Sequence, residues 1–255
     1  MEVHAHTHTA DPDSHRGRKK WNHYFWEFLM LFLAVFCGFM AENIREHGIE
    51  HKRERQYMSS LLSDLIADTT TLNAGIPRKE KRIRSIDTVF RFFQTRPDAK
   101  NIPGNLFRTI RRTNYDARFT RTNVTFNQLK NAGGMRLIRK RNVADSISAY
   151  DLRCEQMDLY YELYVINSQI GNRQFEKLFT ATDLLPFYIA NTSGAIVTNI
   201  SDSLVIRINT EGLNEQLNFM MQEKAYARQE IERFIDLQER AERLMSLIRK
   251  EYHLK

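Results

Sequence analysis

The feature that most constrains this chain is an uninterrupted apolar run near its N-terminus. Residues Phe28 to Ala41 carry no polar side chain, and with its flanks the segment extends from Trp21 to Asn43. As a helix it would be about 34 Å long, which is enough to cross a bilayer. The whole chain has 27% charged residues and a mean hydropathy of −0.52, so this segment departs sharply from its surroundings. The sequence therefore predicts a transmembrane helix at 21–43.

The flanks of this segment predict an uncleaved anchor with a cytoplasmic N-terminus. Trp21 and Trp26 stand where an interfacial aromatic belt belongs, directly behind the basic stretch 16–20. Cleavage by signal peptidase needs small residues before the cut, but Phe36 and Phe39 stand two places before the plausible cuts. Because more basic residues lie close to the N-terminal flank, the positive-inside rule favours an extracytoplasmic C-terminal domain.

One spacing inside the segment concerns helix association. Ala34 and Gly38 are four residues apart, which is a small-xxx-small pattern that lets two membrane helices approach closely. The sequence therefore offers these two residues as a candidate packing face for a homodimer.

Beyond the apolar segment, the hydrophobic pattern predicts long amphipathic helices. Residues 44–57 are strongly charged without a continuous apolar face, as in a polar helical stalk. From Met58 to Phe93 a seam continues at spacings of three and four without a slip at Pro77. A constant phase favours one long helix, kinked near Pro77, over a helical hairpin that has Pro77 as its first helical residue. Similar seams extend over 143–164 and 213–252.

The predicted fold class is mainly α, with one N-terminal transmembrane helix that continues into a long-helix bundle. Two β-branched runs, 195–198 and 204–208, add a small β-hairpin insert within the irregular stretch 181–210. The helical seams fit a coiled coil that closes within one chain or pairs two chains. The predicted organisation is a disordered His-rich, basic tail at 1–20, the membrane helix at 21–43, the stalk at 44–57 and the bundle domain at 58–255.

Two stretches resemble a known family. The passage Lys19–Leu65 and a second segment, Thr125–Ile138 leading to Tyr150, are similar to an uncharacterised Bacteroidota family of single-span membrane proteins, a domain of unknown function. The resemblance implies a bacterial inner-membrane protein with a helical extracytoplasmic domain. It implies no activity and no catalytic residue.

Positive charge is concentrated in one region. Between Asn101 and Arg141 there are ten basic residues and a single acid, Asp116. An anionic partner would explain this cluster, and so would pairing with acids of the long helices, such as Glu211, Glu215 and Glu232. Nucleic acid would fit the charge, but not if the domain is extracytoplasmic. The anion-binding candidates are Arg108, Arg111, Arg112, Arg118, Arg121, Arg136, Arg139, Lys140 and Arg141.

Histidines supply weak metal candidates. His47, Glu50 and His51 form an H-x-x-E-H pattern, in which two histidines one turn apart bind zinc and the glutamate acts as a base. A charged stalk offers no cleft for such a site, so a polar stalk is the better interpretation. His4, His6 and His8 lie in a tail with too little apolar content to become ordered, and they would hold a metal weakly. We predict no catalytic residue, no cofactor and no dedicated metal site.

These features predict a non-enzymatic, membrane-anchored helical interaction or scaffold module facing the cell envelope. Its expected partners are the lipid bilayer and an envelope protein or anionic polymer that binds through the 101–141 region. An alternative is a small-ligand-sensing helical domain that acts through a partner protein, since bundles hold ligands between helices. A more remote alternative is a zinc hydrolase that uses the H-x-x-E-H pattern.

Overall fold

The computed structural model describes residues 16–113, 118–131, 133–188 and 200–254. The chain forms two compact units, Met1–Glu54 and Arg55–Lys255. Most of it is helical, as the sequence predicts. In chain order the elements are α1 (Arg16–Thr95), β1 (Asn101–Pro103), α2 (Gly104–Thr113), α3 (Val124–Asn131), a 3-10 turn (Gly134–Leu137), α4 (Arg141–Leu178), α5 (Ala181–Tyr188), β2 (Val205–Arg207), a second 3-10 turn (Thr210–Gly212) and α6 (Leu213–Tyr252).

In the first unit, the described part of α1 presents an exposed apolar surface. Its most apolar window of 18 residues has a mean hydropathy of 1.9, and none of it is buried. Phe28, Phe32 and Phe36 stack along one face, with ring centroids 6.3 and 6.0 Å apart. The helix is therefore long and apolar enough to span a membrane.

The long-helix prediction for the first seam is confirmed. α1 continues through Pro77 to Thr95, so the alternative of a hairpin starting at Pro77 is wrong. In the second unit the seam residues Met58, Leu65, Leu72 and Ile86 are buried. Their constant phase predicts this result, because two separate helices would have no reason to share one register.

The second unit contains two hydrophobic clusters. The first joins α1 up to Leu72 with α3, the N-terminal part of α4 and the C-terminal part of α6. The second joins α1 from Ile86 with α2, the C-terminal end of α4, both strands and the start of α6. Each long helix thus contributes to both clusters, which gives the unit one continuous scaffold.

The contacts between the long helices fix their directions. Tyr150 of α4 hydrogen-bonds Asp68 of α1, and fourteen residues later Tyr164 hydrogen-bonds Arg82, so α4 runs parallel to α1. α6 runs antiparallel to α1, because Gly75 of α1 meets Phe234 whereas Arg82 meets Glu223. A Cβ at Gly75 would lie 2.5 Å from Cε2 of Phe234, so glycine is what lets α6 pack this closely.

The small sheet is antiparallel and joins distant parts of the chain. β2 lies in the predicted 204–208 run, but its partner is β1, with Asn101 opposite Arg207 and Pro103 opposite Val205. The 195–198 run, which the sequence suggested as partner, lies outside the described residues. Periodicity could not find β1, because a three-residue strand ending in proline has the composition of a loop.

Candidate functional site

Three basic side chains of the 101–141 region pair with acids of α4. Arg118 donates to Asp158 at 2.9 Å, and Lys130 donates to Glu155 at 2.9 Å. The half-buried Arg121 pairs with Asp151, which is itself buried. Arg118 also lies over the Tyr161 ring, and Arg121 lies over the ring of Phe126. These cations therefore fasten α3 and the loop before it to α4.

Other predicted anion-binding residues have acidic partners elsewhere. Arg108 pairs with Asp202 in the chain segment before β2. Lys140 reaches Glu251 near the C-terminal end of α6 at 3.3 Å. Arg141 pairs with Asp145 one turn along α4 at 3.8 Å.

The basic cluster is thus distributed over several local ion pairs. Among the described residues the acids are those of α4, Asp202 and Glu251, whereas Glu211, Glu215 and Glu232 form no ion pair with it. Arg111 is half-buried and Arg139 is exposed. Within the described part of the chain, Arg112 and Arg136 are exposed and form no ion pair, so they are the basic side chains best placed to meet an anion.

Two carboxylates of α1 hold the N-terminal end of α3. Asp64 accepts a hydrogen bond from the backbone N–H of Thr125 at 3.1 Å, and Asp68 accepts one from Thr122 at 2.6 Å. Carboxylates at this end of a helix satisfy its free amides and favour its dipole. Burial raises the pKa of Asp68 above its usual value, although these hydrogen bonds oppose the shift.

A buried ion pair crosses from α1 to α6. The Nζ atom of Lys79 lies 2.9 Å from Oε1 of Glu230, and both side chains are only 2% exposed. The ammonium group also lies 5.6 Å from the ring centroid of Phe234. A charge buried this deeply is tolerated only with an opposite charge beside it.

A larger polar group lies one turn further along α1. Arg82 forms an ion pair with Glu223 of α6, which is fully buried, and donates to the carbonyl of Thr113 at 2.5 Å. Tyr164 of α4 donates its hydroxyl proton to Glu223 at 2.9 Å, and burial raises the pKa of that hydroxyl. Asn167 donates to the other oxygen of Glu223 at 3.3 Å.

We call Lys79, Arg82, Tyr164, Glu223 and Glu230 the polar layer. On each long helix these residues lie, in sequence, between the residues that enter the first hydrophobic cluster and those that enter the second. The polar layer therefore separates two apolar cores. Arg82, Tyr164 and Glu223 contact one another across three helices, so the layer ties α1, α4 and α6 together at one level.

The sequence pattern of α6 concealed this layer. The predicted seam used Leu217, Lys224 and Ile231, which are only partly buried. The structure buries most of the remaining seam positions as predicted, and beside them it buries a second set. The predicted positions that are buried are Leu213, Met220, Ala227, Phe234, Ala241, Met245, Ile248 and Tyr252. The second set is spaced seven residues apart: Gln216, Glu223, Glu230, Leu237 and Leu244. The sequence signal for the polar layer is a spacing of seven residues between two glutamates, which two leucines continue at the same spacing. A search for apolar residues alone rejects it.

The H-x-x-E-H pattern forms two histidine–glutamate pairs in the first unit. Nδ1 of His47 lies 3.3 Å from Glu50, and Nδ1 of His51 lies 3.4 Å from Glu54. The two histidine side chains are 60% and 65% exposed. In the described part of the chain no group of three His, Cys, Asp or Glu side chains is placed to hold a metal ion. His4, His6 and His8 lie outside that part.

Ala34 and Gly38 are both exposed on α1, and a Cβ added at Gly38 would meet nothing within 4 Å. Within the part of the first unit that the structure describes, the predicted packing face is therefore exposed. Whether a second helix binds there stays a prediction.

A groove of about 310 Å³ lies between α4 and α6. Two cations border it, but each is already engaged on its own helix, Arg240 with Asp236 and Arg243 with Glu239. Together the two arginines and the apolar floor would suit a small amphipathic anion. The residues lining the groove are Ser146, Ala149, Tyr150, Arg240, Arg243, Leu244 and Leu247.

No protein-family model, curated protein or solved structure matches this chain. The resemblance of Lys19–Leu65 and Thr125–Ile138 to a single-span Bacteroidota family therefore stays a prediction.

Proposed function

We propose that this protein is a membrane-anchored, non-enzymatic helical module that binds a partner in the cell envelope. The observation that carries the proposal is that α1 contains both the exposed apolar window and the residues that enter both hydrophobic clusters. Exposure of an apolar helix surface to water is unfavourable. A lipid bilayer would remove that surface from water.

The charges inside the second unit support a structural rather than a catalytic use of its buried ionisable groups. Glu223, Glu230 and Asp68 each bind a cation, a hydroxyl or a backbone amide of another element. A general acid or base needs access to substrate in a cleft. These carboxylates face their partners in the interior of the bundle.

The proposed location is the bacterial inner membrane, with the N-terminus in the cytoplasm and the second unit on the extracytoplasmic side. The basic stretch 16–20 ahead of Trp21 supports this orientation. In that compartment the proposed partner is an envelope protein or an anionic polymer, and the exposed Arg112 and Arg136 are where it would first be sought.

A second candidate function is the sensing of a small ligand, with a partner protein carrying the response. The groove between α4 and α6 favours it, because Arg240 and Arg243 border an apolar floor there. Thermal stabilisation of the full chain by small amphipathic anions would support sensing. An Arg243→Gln variant that is stabilised equally would show that the groove is not the binding site.

The test of anchoring is extraction of isolated membranes with alkaline carbonate. We expect the full chain to stay in the pellet and a chain that lacks residues 21–43 to be released. Release of the full chain under the same conditions would overturn the proposal.

Partner binding is tested by chemical cross-linking of intact cells, followed by mass spectrometry. We expect the double variant Arg112→Gln/Arg136→Gln to lose cross-linked species that the parent forms. The matched control is Arg91→Gln/Arg228→Gln, which removes the same charge from exposed positions of α1 and α6. Equal loss in both variants would show that charge in general, and not this surface, is responsible.

A further inference from the structure

α4 carries a second apolar face that is largely exposed among the described residues of the second unit. Its buried side includes Cys154, Met157 and Tyr161, which enter the first hydrophobic cluster. On a different face lie five large apolar side chains that are about half exposed or more. We call them the α4 stripe: Leu152 at 55%, Leu159 at 58%, Leu163 at 60%, Ile166 at 62% and Ile170 at 48%.

The spacing within the α4 stripe is that of a helix-pairing seam. Successive members are seven, four, three and four residues apart, so they line one side of the helix over about 27 Å. Scattered exposed leucines are normal on a protein surface, whereas a row of apolar side chains along one helix face is typical of an interaction surface.

We infer that the α4 stripe joins two copies of this chain in a parallel α4–α4 homodimer. The stripe extends along about 27 Å of helix, and each of its five members is about half exposed or more, so pairing would bury one apolar seam. Confinement of both copies to one membrane raises their effective concentration and favours the pair.

The charges beside the stripe select a second copy in parallel orientation. In a parallel register Glu155 and Glu162 lie opposite positions 160 and 167 of the other copy. Tyr160 is buried in its own unit and Asn167 is uncharged, so no like charges oppose each other along the stripe. An antiparallel pair centred on the stripe would instead bring the two Glu162 side chains together. Arg173 and Lys177 follow Ile170 and limit the contact at its C-terminal end, because each would face its own copy.

The fold gives an independent reason for the parallel arrangement, which rests on the proposed membrane anchoring. Because α4 is parallel to α1 within the second unit, a parallel α4 pair places the two Arg55 ends of α1 on the same side of the dimer. Two chains anchored in one membrane require this. An antiparallel pair would send the two ends in opposite directions.

The test is thiol cross-linking of the full chain in its native membrane with a short bis-maleimide. The parent carries Cys37→Ala and keeps Cys154, whose thiol is buried with its pKa raised to about 12 and stays unreactive. We expect Ile166→Cys to give a band of twice the chain mass. Val165→Cys is the matched control, because it is the neighbouring residue, is 48% exposed and points to another face. We expect at least a roughly fivefold weaker dimer band from it.

Orientation is measured with differently tagged chains. A parallel pair cross-links Leu152→Cys to Leu152→Cys. An antiparallel pair cross-links Leu152→Cys only to Ile170→Cys of the other chain. The inference is overturned by absence of the Ile166→Cys band, by an equal band from Val165→Cys, by the antiparallel pattern, or by a cross-linked partner that mass spectrometry identifies as a different protein.

Introducing negative charge into the α4 stripe provides the second readout. Leu159→Glu/Leu163→Glu is expected to shift the detergent-solubilised protein from dimer to monomer mass without loss of helical circular dichroism, since both side chains are exposed. Retention of the dimer would contradict the inference. Carbonate extraction of the same membranes separates the two proposals: a chain that stays in the pellet without cross-linking refutes the dimer and leaves the anchor intact.

Discussion

Two segments of one helix show opposite relations between polarity and burial. Around Phe28–Ala41, α1 is apolar and exposed, whereas at Lys79 and Arg82 it is charged and buried. The helical pattern alone explains neither segment, because burial depends on what surrounds a side chain. A bilayer would cover the first segment, and Glu230 and Glu223 neutralise the charges of the second. What surrounds each segment, and not its hydropathy, therefore determines whether its side chains are stable there.

The two cysteines repeat this comparison on a smaller scale. Cys37 is exposed on the apolar part of α1, whereas Cys154 lies in the first hydrophobic cluster. Burial raises the pKa of the Cys154 thiol to about 12. The protein core thus shields the Cys154 thiol from solvent, and we expect lipid to shield the Cys37 thiol.

The largest effect is expected when charged residues are placed in the apolar segment. Leu31→Arg/Val35→Arg puts two cations near the centre of the proposed span, at about 2.5–3.5 kcal/mol each. We expect the chain to be lost from carbonate-washed membranes. The control Leu31→Ala/Val35→Ala keeps the segment uncharged and is expected to remain. Retention of the arginine variant would mean that the segment is not in the bilayer.

The polar layer is tested by removing one of its charges. Glu223→Leu leaves Arg82 buried without its carboxylate, which is expected to lower the free energy of unfolding by about 3–5 kcal/mol. The double variant Arg82→Met/Glu223→Leu removes both charges and is expected to recover most of that loss. Urea unfolding followed by circular dichroism measures both values. If the double variant were as unstable as the single one, the loss would come from packing rather than from the unpaired charge.

Close packing between α1 and α6 predicts a smaller effect at a glycine. Gly75→Ala forces the Phe234 ring to move, because the new Cβ would lie 2.5 Å from it, and should destabilise the second unit by about 1–3 kcal/mol. Gly48→Ala is the matched control on the same helix. Its Cβ would meet nothing within 4 Å, so better helix propensity is the main consequence. Thermal unfolding distinguishes the two, and equal effects would contradict the packing argument.

The smallest expected effect is a dependence of stability on pH that Asp68 causes. Because burial raises its folded pKa, the folded state binds this proton more tightly than the unfolded state does. Its contribution to stability is therefore fully present below the unfolded pKa and is lost as pH rises from there through the raised folded pKa. We expect the stability difference between the parent and Asp68→Asn to shift in favour of the parent as pH falls through this window. A pH-independent difference would contradict the raised pKa.

The hydrophobic pattern of the sequence predicted the long helices, because that pattern is set by residues a few positions apart. The constant seam from Met58 to Phe93 is enough to carry one helix through Pro77, and the buried seam of α4 from Val143 to Tyr164 is confirmed at every position. The apolar window is likewise a property of neighbouring residues. Periods of three and four residues are determined within a few turns of a helix.

What the sequence did not predict depends on partners far away in the chain. β1 pairs with a strand about a hundred residues later, and Lys79 and Glu230 are 151 residues apart. The N-terminal amides of α3 are held by Asp64 and Asp68 of another helix. In each of these arrangements the two partners are far apart in the sequence. A hydrophobic pattern covers only a few turns of one element, so only the three-dimensional structure reveals the pairing.

The most direct test of our central claim is labelling of the two cysteines in membranes opened by freeze–thaw, with a membrane-impermeant maleimide and site assignment by mass spectrometry. We expect that neither thiol reacts under native conditions. In concentrated urea, which unfolds the second unit but leaves the bilayer in place, Cys154 should become labelled while Cys37 stays protected. Rapid labelling of Cys37 in native membranes would contradict the claim that the apolar part of α1 lies in lipid.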